Sequence, residues 1–187
     1  MDYYLDIKLL PDPDFIPSML MNALFSKLHR VLVERRELNV AVSFPEYSLN
    51  PLGLGNCLRL YGKQGDLDSL QDTGWLTGMR DHVVYRDVQP VPSNTEYVEV
   101  RRVQARSNVE RLVRRSAKRK GISEEQAREA YQNAQPKMLR LPFISLNSQS
   151  SGRRFSLFIE QGRPQKESKA GEFNRYGISQ TATVPWF

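Results

Sequence analysis

Residues 101–120, RRVQARSNVERLVRRSAKRK, hold the side chains of this chain that are best placed to act together chemically. The segment contains nine basic residues and one acid, so its net charge is +8, whereas the whole chain of 187 residues carries +6. Such a local concentration of positive charge favours a binding site for a polyanion over a general effect on solubility. The basic residues are Arg101, Arg102, Arg106, Arg111, Arg114, Arg115, Lys118, Arg119 and Lys120.

A helix is the element that must position these charges, and the sequence predicts one over residues 108–120. Ser107 and Glu110 fit a capping box at its start, and Gly121 suits the left-handed position just after its end. One face of this helix is basic and the opposite face can pack on a core. The basic face comprises Arg111, Arg114, Arg115, Lys118 and Arg119, and the packing face Val109, Leu112, Val113, Ser116 and Ala117.

The basic stripe is about 12 Å long at the helical rise of about 1.5 Å per residue. Its like charges repel each other by roughly a few tenths of a kcal/mol per pair, and a polyanion lying along the stripe removes that cost. Nucleic acid is therefore the favoured partner. A solvated helix face that binds nothing is one alternative, and a binder of double-stranded DNA is another.

Composition narrows the class of protein. Hydrophobic residues make up 40% of the chain and charged residues 26%, which is typical of a globular fold. Cys57 is the single cysteine, which rules out an internal disulfide framework and fits a reducing cytoplasm. Two histidines and one cysteine, far apart in sequence, do not form a zinc finger, so we expect neither a metal nor another cofactor. We expect no membrane segment and no signal peptide, because no apolar run is long enough.

Hydrophobic periodicity predicts an α+β fold. The order of elements up to residue 92 is β-α-β-β-α-β, the ferredoxin-like pattern. The predicted elements are a strand at 2–10, a helix at 17–36, strands at 40–44 and 57–61, a helix at 67–72 and a strand at 82–88. The helix at 17–36 is predicted to pack by one apolar face, made of Leu20, Met21, Leu24, Phe25, Leu28, Val31 and Leu32. The glycine–aromatic run by which RNA-recognition domains stack bases is absent from residues 56–63, so RNA binding on that sheet face is not supported.

Prolines at positions 90 and 92 mark a predicted boundary between two domains, 1–92 and 93–187. The second domain is predicted to carry the basic helix and a β-hairpin. Its predicted elements are a strand at 97–104, the basic helix, a helix that a capping box at Ser123 opens, a hairpin of 141–148 and 154–160, and a strand at 173–179. The apolar end of the chain, 184–187, is expected to dock on the rest.

Several segments together resemble a known family, the type I-F CRISPR repeat-processing endoribonucleases of the Csy type. They are MDYYLDIKL at the start, KLHR around position 29, RRVQARSNVERLVRR, LPFISLNSQSSGRRFSLFI, RYGIS around position 176 and VPWF at the end. Their order and spacing cover essentially the whole chain. The resemblance implies a ferredoxin-like domain carrying the catalytic histidine, followed by an RNA-binding domain with an arginine-rich helix.

Site residues follow from the same resemblance. It implies that His29, Ser148 and Tyr176 are catalytic. It implies RNA contacts by the stem-reading pair Arg102 and Gln104, by Phe155 stacked under the closing base pair, by Ser150, and by Arg111, Arg114, Arg115, Lys118, Arg119 and Lys120 of the helix. Val113 and Lys118 make this helix less arginine-rich than is usual in the family, and lysine lacks the bidentate fork of arginine.

The function implied is a metal-independent endoribonuclease that cuts CRISPR precursor RNA at the base of the repeat stem-loop and stays bound to the product. A histidine can act as the base for the 2′-hydroxyl near neutral pH, and this route yields a 2′,3′-cyclic phosphate and a 5′-hydroxyl. Other Cas proteins of a type I-F surveillance complex are the implied partners. A non-catalytic protein that binds an RNA stem-loop is the alternative.

Taken singly, these residues have plainer interpretations. His29 lies at the edge of a helix face, where histidines are mostly surface residues. Ser148 would be an ordinary serine at a hairpin end, Tyr176 a strand tyrosine that packs, and Phe155 a core residue. Their joint occurrence at the family's spacing favours the site. His82 has no such support and is interpreted as structural.

Overall fold

The computed structural model describes residues 1–104, 109–131, 139–148 and 152–187. These residues divide into two compact units. The first contains Met1–Val103 and Leu141–Phe187, and the second contains Gln104–Arg140. The boundaries differ from the predicted domains, 1–92 and 93–187, because both sheets of the first unit contribute to one hydrophobic core. The division into compact units does not test the predicted domains, which remain a prediction.

The chain forms a mixed α and β structure with antiparallel sheets, in which four α-helices and eleven strands are described. The helices are α1 (Pro17–Glu34), α2 (Gln64–Asp72), α3 (Val109–Lys120) and α4 (Glu124–Glu129), with a 3-10 turn at Arg80–His82. The strands are β1 (Tyr3–Leu9), β2 (Ala41–Ser43), β3 (Ser48–Leu49), β4 (Leu52–Gly53), β5 (Cys57–Gly62), β6 (Val83–Tyr85), β7 (Gln89–Pro90), β8 (Glu96–Val103), β9 (Phe143–Asn147), β10 (Arg154–Gln161) and β11 (Thr183–Trp186).

The first sheet has the strand order β2-β5-β1-β6, and β7 also pairs with β1. Its pairs are antiparallel, with Leu5 opposite Leu60 and Ile7 opposite Leu58 at the centre. These alternate residues point to one face, where α1 and α2 bury their apolar sides. The buried residues of α1 are those that the sequence predicted: Leu20, Met21, Leu24, Phe25, Leu28, Val31 and Leu32.

The second sheet has the order β11-β8-β10-β9, again with antiparallel pairs. Helix α1 packs on its edge strand β9, and the side-chain oxygen of Asn22 accepts a hydrogen bond of 2.8 Å from the Ser145 backbone N–H. The helix therefore touches both sheets. A side chain on α1 is held in a fixed position relative to β9.

The last residues of the chain dock on the first sheet, as predicted. Pro185 accepts a hydrogen bond of 2.6 Å from the Tyr61 hydroxyl, and the Phe187 carbonyl oxygen accepts one of 2.9 Å from Arg59. The guanidinium of Arg59 also forms a two-pronged ion pair with Asp6, at 2.6 and 2.8 Å. The largely buried charge of Arg59 is tolerated because each of its three guanidinium nitrogens donates to an acceptor.

The second unit is built on the helix pair α3 and α4. Val113 and Ala117 of α3 are buried against Ala127, with Tyr131 packed on them. The predicted glycine stop is confirmed: Gly121 has a φ of 64°, and the Ile122 N–H donates to the Ala117 carbonyl. The predicted capping box at Ser123 is also confirmed. The capping box that begins at Ser107 lies outside the described residues.

One predicted strand is wrong. Residues 173–179 contain no strand, and the last strand is instead β11, Thr183–Trp186. Asn174 and Gly177 occupy positions of a tight turn, so the apolar residues between them do not follow an extended backbone. This turn, residues 174–178, belongs to the candidate site.

Candidate active site and nucleic-acid interface

His29 is fixed by a backbone carbonyl. It lies half-buried on α1, next to the fully buried Leu28, and its Nδ1 is 2.8 Å from the carbonyl oxygen of Arg175. A carbonyl oxygen only accepts hydrogen bonds, so Nδ1 must carry a proton and donate it. In the neutral ring the other nitrogen, Nε2, then has a free lone pair. The ring is therefore arranged to accept a proton at Nε2.

Tyr176 covers one face of the His29 ring. The two ring centroids are 4.1 Å apart and the planes are inclined by 16°, which is a stacked arrangement. The stack and the carbonyl contact come from adjacent residues of the turn at 174–178. Together they restrict both the plane of the imidazole and its rotation within that plane.

Three hydrogen bonds of Asn174 close the turn. Its side-chain oxygen accepts from the Tyr176 N–H at 2.8 Å, and its carbonyl accepts from the Gly177 N–H at 2.8 Å. Its own N–H donates to the Ile178 carbonyl at 3.0 Å. The first of these is an Asx-turn contact, in which an asparagine side chain replaces a backbone acceptor.

Gly177 joins the turn to the first sheet. Its carbonyl accepts a 2.8 Å hydrogen bond from the Val42 N–H, and its φ of 70° lies in the left-handed region. A Cβ at this position would lie 2.8 Å from Cγ1 of Val42 and 3.1 Å from the Val40 carbonyl oxygen. Both the backbone conformation and the close approach therefore require glycine here.

Arg102 lies between two aromatic rings of the site. Its guanidinium carbon is 6.0 Å from the Tyr176 ring centroid and 5.9 Å from that of Phe155, at the outer limit of cation–π contact. Its Nε is buried and has no hydrogen-bond acceptor among the described residues. The structure thus brings four of the predicted site residues together in a row: His29, Tyr176, Arg102 and Phe155.

Strands β8 and β10 hold the Arg102 end of this row. Arg102 is opposite Ile159 in the ladder, and its carbonyl accepts from the Gln180 side chain at 3.2 Å. Phe155 is opposite Leu146, packs against the core and is half-buried. Phe155 is therefore neither a fully buried core residue nor a free surface ring.

Ser148 directly follows β9, the strand on which α1 packs. It is half-buried and lies two residues after the buried Leu146. Its backbone N–H donates to the Arg153 carbonyl at 2.9 Å and its carbonyl accepts from Gly152 at 2.8 Å. The predicted RNA contact Ser150 lies outside the described residues.

The basic stripe belongs to the second unit. On α3, Arg114, Arg115, Lys118, Arg119 and Lys120 are exposed, while Val113, Ser116 and Ala117 are buried. This separation of faces is the one that the sequence predicted. Arg111 lies within α3, but its side chain is outside what the structure describes. Gln104 is exposed immediately after β8.

His82 and Cys57, the other side chains that could react, lie outside the row of site residues. Nδ1 of His82 is 2.7 Å from a carboxylate oxygen of Asp12, and the Asp14 backbone N–H together with His82 holds the pKa of Asp12 below its usual value. Burial raises the pKa of the Cys57 thiol to about 12, so this cysteine is unsuited to act as a nucleophile. In the described parts of the chain, no group of three or more His, Cys, Asp or Glu side chains is placed to hold a metal ion.

Sequence reasoning missed three residues of the site. Asn174, Arg175 and Gly177 build the turn that holds His29, and only their neighbour Tyr176 was predicted. An Asn followed three positions later by Gly is typical of a tight turn, and the segment NRYG carries that signal.

None of the helices described is long and apolar enough to span a lipid bilayer.

Comparison with known proteins gives whole-chain matches. A family model described as CRISPR-associated protein (Cas_Csy4) matches residues 4–187. Two relatives named CRISPR-associated endonuclease Cas6/Csy4, from Pseudomonas aeruginosa (strain UCBPP-PA14) and Escherichia coli (strain UTI89 / UPEC), are each 45% identical over 187 residues. Each comparison covers 100% of this chain and 100% of the relative. The matched range therefore spans the positions of the candidate site.

Proposed function

The chain belongs to the Csy4 family of CRISPR-associated proteins, and we propose that it is the endoribonuclease that cuts CRISPR precursor RNA at the base of the repeat stem-loop. Two relatives that carry the name endonuclease share its full length at 45% identity. The observation that supports the chemistry is the fixed imidazole of His29, with Nδ1 bound to a carbonyl and Nε2 available as a base.

The reaction uses the RNA's own nucleophile. Nε2 of His29 takes the proton of the 2′-hydroxyl, and the O2′ attacks the neighbouring phosphorus in line. The P–O5′ bond breaks, and the leaving oxygen takes a proton from an acid or from solvent. The products are a 2′,3′-cyclic phosphate on one fragment and a 5′-hydroxyl on the other. Each of these steps proceeds without a metal ion.

Ser148 and Tyr176 assist the reaction by holding the ribose and the imidazole in place. The Ser148 hydroxyl holds the ribose at the cut site, so that the 2′-hydroxyl and the phosphate stay in line. Tyr176 keeps the imidazole plane in place through the stack at 4.1 Å. Neither residue has to exchange a proton for this role.

Arg102 and Phe155 connect the reaction site to the stem. Phe155 stacks under the lowest base pair, which fixes the cut by its distance from the end of the stem. The buried Nε of Arg102 needs an acceptor, and a guanine edge or a phosphate supplies one. Gln104, two residues later, pairs with an adenine edge in the same stem.

The stripe on α3 binds the major groove of the stem. Duplex RNA has a deep, narrow major groove that side chains reach poorly, but the groove of a short hairpin opens near its ends. Arg115 and Arg119 are the leading contacts, and together with Arg111, Arg114, Lys118 and Lys120 they neutralise phosphates. Ser150 is a further proposed RNA contact. These contacts keep the product bound after cleavage.

The wider proposal concerns fold and partners. The strand order of the first sheet and the β-α-β-β-α-β order of its elements support a ferredoxin-like arrangement. We place the protein in the cytoplasm, where it and its bound RNA join other Cas proteins of a type I-F surveillance complex.

Cleavage in the presence of a chelator tests the proposed reaction. We expect repeat RNA to be cut at the same rate with and without EDTA, because the His29 route uses no metal. Mass spectrometry of the fragments should give a 2′,3′-cyclic phosphate and a 5′-hydroxyl. RNA that stays bound but intact after long incubation would favour the alternative, a non-catalytic stem-loop binder. Preference for the same hairpin made of DNA would favour a DNA-binding protein.

Arg115→Ala should weaken RNA binding and reduce its salt dependence. Removing one phosphate contact lowers the slope of log affinity against log salt concentration by about one unit. Binding titrations across a range of salt concentrations measure that slope. Arg128→Ala is the matched control, because it removes an exposed charge from α4 in the same unit. Equal slopes for wild type and Arg115→Ala would contradict the groove contact.

A further inference from the structure

We propose that Asn174 and Arg175 are positioning residues that select the tautomer of the neutral His29 ring. The proposal rests on the proposed function, in which His29 is the base. It adds that the turn at 174–178 sets which ring nitrogen is protonated. The structure holds all the groups needed: a donor at Nδ1, an acceptor carbonyl, and hydrogen bonds that fix that carbonyl.

Stacking by Tyr176 leaves the choice of tautomer open. An aromatic ring stacked at 4.1 Å holds the plane of the imidazole, but stacking on a ring face forms no hydrogen bond with either ring nitrogen. The Arg175 carbonyl, in contrast, contacts Nδ1 and stabilises only the tautomer that carries its proton on Nδ1. A ring protonated at Nε2 instead has no lone pair facing the 2′-hydroxyl and is inactive as the base.

Asn174 fixes the direction of that carbonyl. The peptide that ends in the Arg175 carbonyl continues into the Tyr176 N–H, which donates to the Asn174 side-chain oxygen at 2.8 Å. These two groups belong to one planar peptide unit, so a bond to the N–H also sets where the carbonyl points. The Asn174 side chain is therefore coupled to Nδ1 of His29 through one rigid plane.

Arg175 fixes the turn to the helix that carries His29. Its Nη1 donates at 2.9 Å to the carbonyl of Arg36, which lies just after the end of α1. The backbone of Arg175 thus binds α1 at His29, and its side chain binds the chain seven residues further on. These two hydrogen bonds attach Arg175 to neighbouring points of the chain. They keep Nδ1 of His29 and the Arg175 carbonyl oxygen together when the turn moves.

The test combines histidine-ring nitrogen NMR of the RNA-free protein with single-turnover cleavage. The NMR spectrum reports directly which nitrogen of His29 carries the proton. We expect Asn174→Ala to change the wild-type Nδ1–H signature to a mixture of both forms. We expect it to cleave about tenfold more slowly at saturating protein, because one hydrogen bond that orients the base is lost. The dissociation constant for RNA should change by less than about twofold.

Asn174→Asp keeps the acceptor oxygen and should retain the Nδ1–H signature, with a rate within about threefold of wild type. Asn94→Ala is the matched control, because Asn94 is an exposed loop asparagine in the same unit whose side chain makes no hydrogen bond to the described residues. If Asn174→Ala does not fold, Arg175→Ala, a change at an exposed side chain, should give the same mixed signature.

An unchanged Nδ1–H signature in Asn174→Ala, or in Arg175→Ala where that variant is needed, would overturn the proposal even if cleavage slowed. A wild-type cleavage rate together with a mixed signature would overturn it as well. If the wild-type protein left the RNA intact, the proposed function would fail, and the NMR comparison would still decide the positioning role.

Discussion

His29→Ala should slow cleavage of the repeat RNA by about 10²–10⁴-fold near neutral pH, the usual contribution of a general base. The variant keeps the stem contacts, since Arg102, Phe155 and the helix α3 are untouched. RNA affinity should therefore stay within about threefold of wild type, so that the loss appears in the rate constant and not in binding. Single-turnover kinetics at saturating protein, with a parallel binding titration, separate the two quantities.

The second histidine supplies the matched control. His82 is paired with Asp12 at 2.7 Å and takes no part in the row of site residues. His82→Ala should lower stability and leave the cleavage rate per folded molecule unchanged. An RNA with a 2′-deoxy nucleotide at the cut should bind and remain uncut by every variant. Wild-type cleavage by His29→Ala, or cutting of the 2′-deoxy substrate, would show that His29 is not the base for a 2′-hydroxyl.

Gly177→Ala should both destabilise the protein and impair cleavage. An alanine there has to adopt a φ of 70°, which costs about 1–2 kcal/mol. Its Cβ would also lie 2.8 Å from Cγ1 of Val42, and overpacking of this kind costs about 1–3 kcal/mol. The turn can relieve the contact with Val42 only by moving away from β2. That movement would take the Arg175 carbonyl and the Tyr176 ring away from His29. We expect a fall in unfolding free energy of about 2–5 kcal/mol and a cleavage rate at least about tenfold lower.

Gly74→Ala separates the two effects. Gly74 has a similar φ of 64°, but a Cβ there meets only the Thr77 hydroxyl oxygen, at 3.7 Å. It should cost only the backbone contribution of about 1–2 kcal/mol and leave the cleavage rate unchanged. Denaturant unfolding measures the first quantity and single-turnover kinetics the second. Equal behaviour of the two variants would show that the contact between Gly177 and Val42 does not position the site.

The long helices were predictable because their signals are local. The apolar face of α1 named from the sequence is the set of residues that the structure buries. The separation of basic and packed residues on α3 also follows the prediction. In both cases residues three and four apart lie on one face whatever surrounds the helix. The buried Val113 and Ala117 needed no knowledge of their partners, Ala127 and Tyr131, to be recognised.

The turn at 174–178 was mispredicted for an equally physical reason. Phe173, Tyr176 and Ile178 supply enough apolar character for a strand, and no pattern within the segment reveals what it packs against. The contacts that decide its shape come from elsewhere: the Val42 N–H on one side and the Arg36 carbonyl on the other. The residues that sequence reasoning missed, Asn174, Arg175 and Gly177, are those that make or permit these contacts.

The charge of the basic helix and the elements with a local hydrophobic period can be read from the sequence alone, and the resemblance adds the proposed residues of the candidate site. The relative placement of these residues depends on the fold. Residues 29 and 175 are separated by 146 positions, yet a single hydrogen bond of 2.8 Å between them sets which nitrogen of the imidazole is free. Protonation at a ring nitrogen depends on the acceptor that faces it in space. That acceptor is a backbone carbonyl, a group that every residue carries and that no residue type in the sequence reveals.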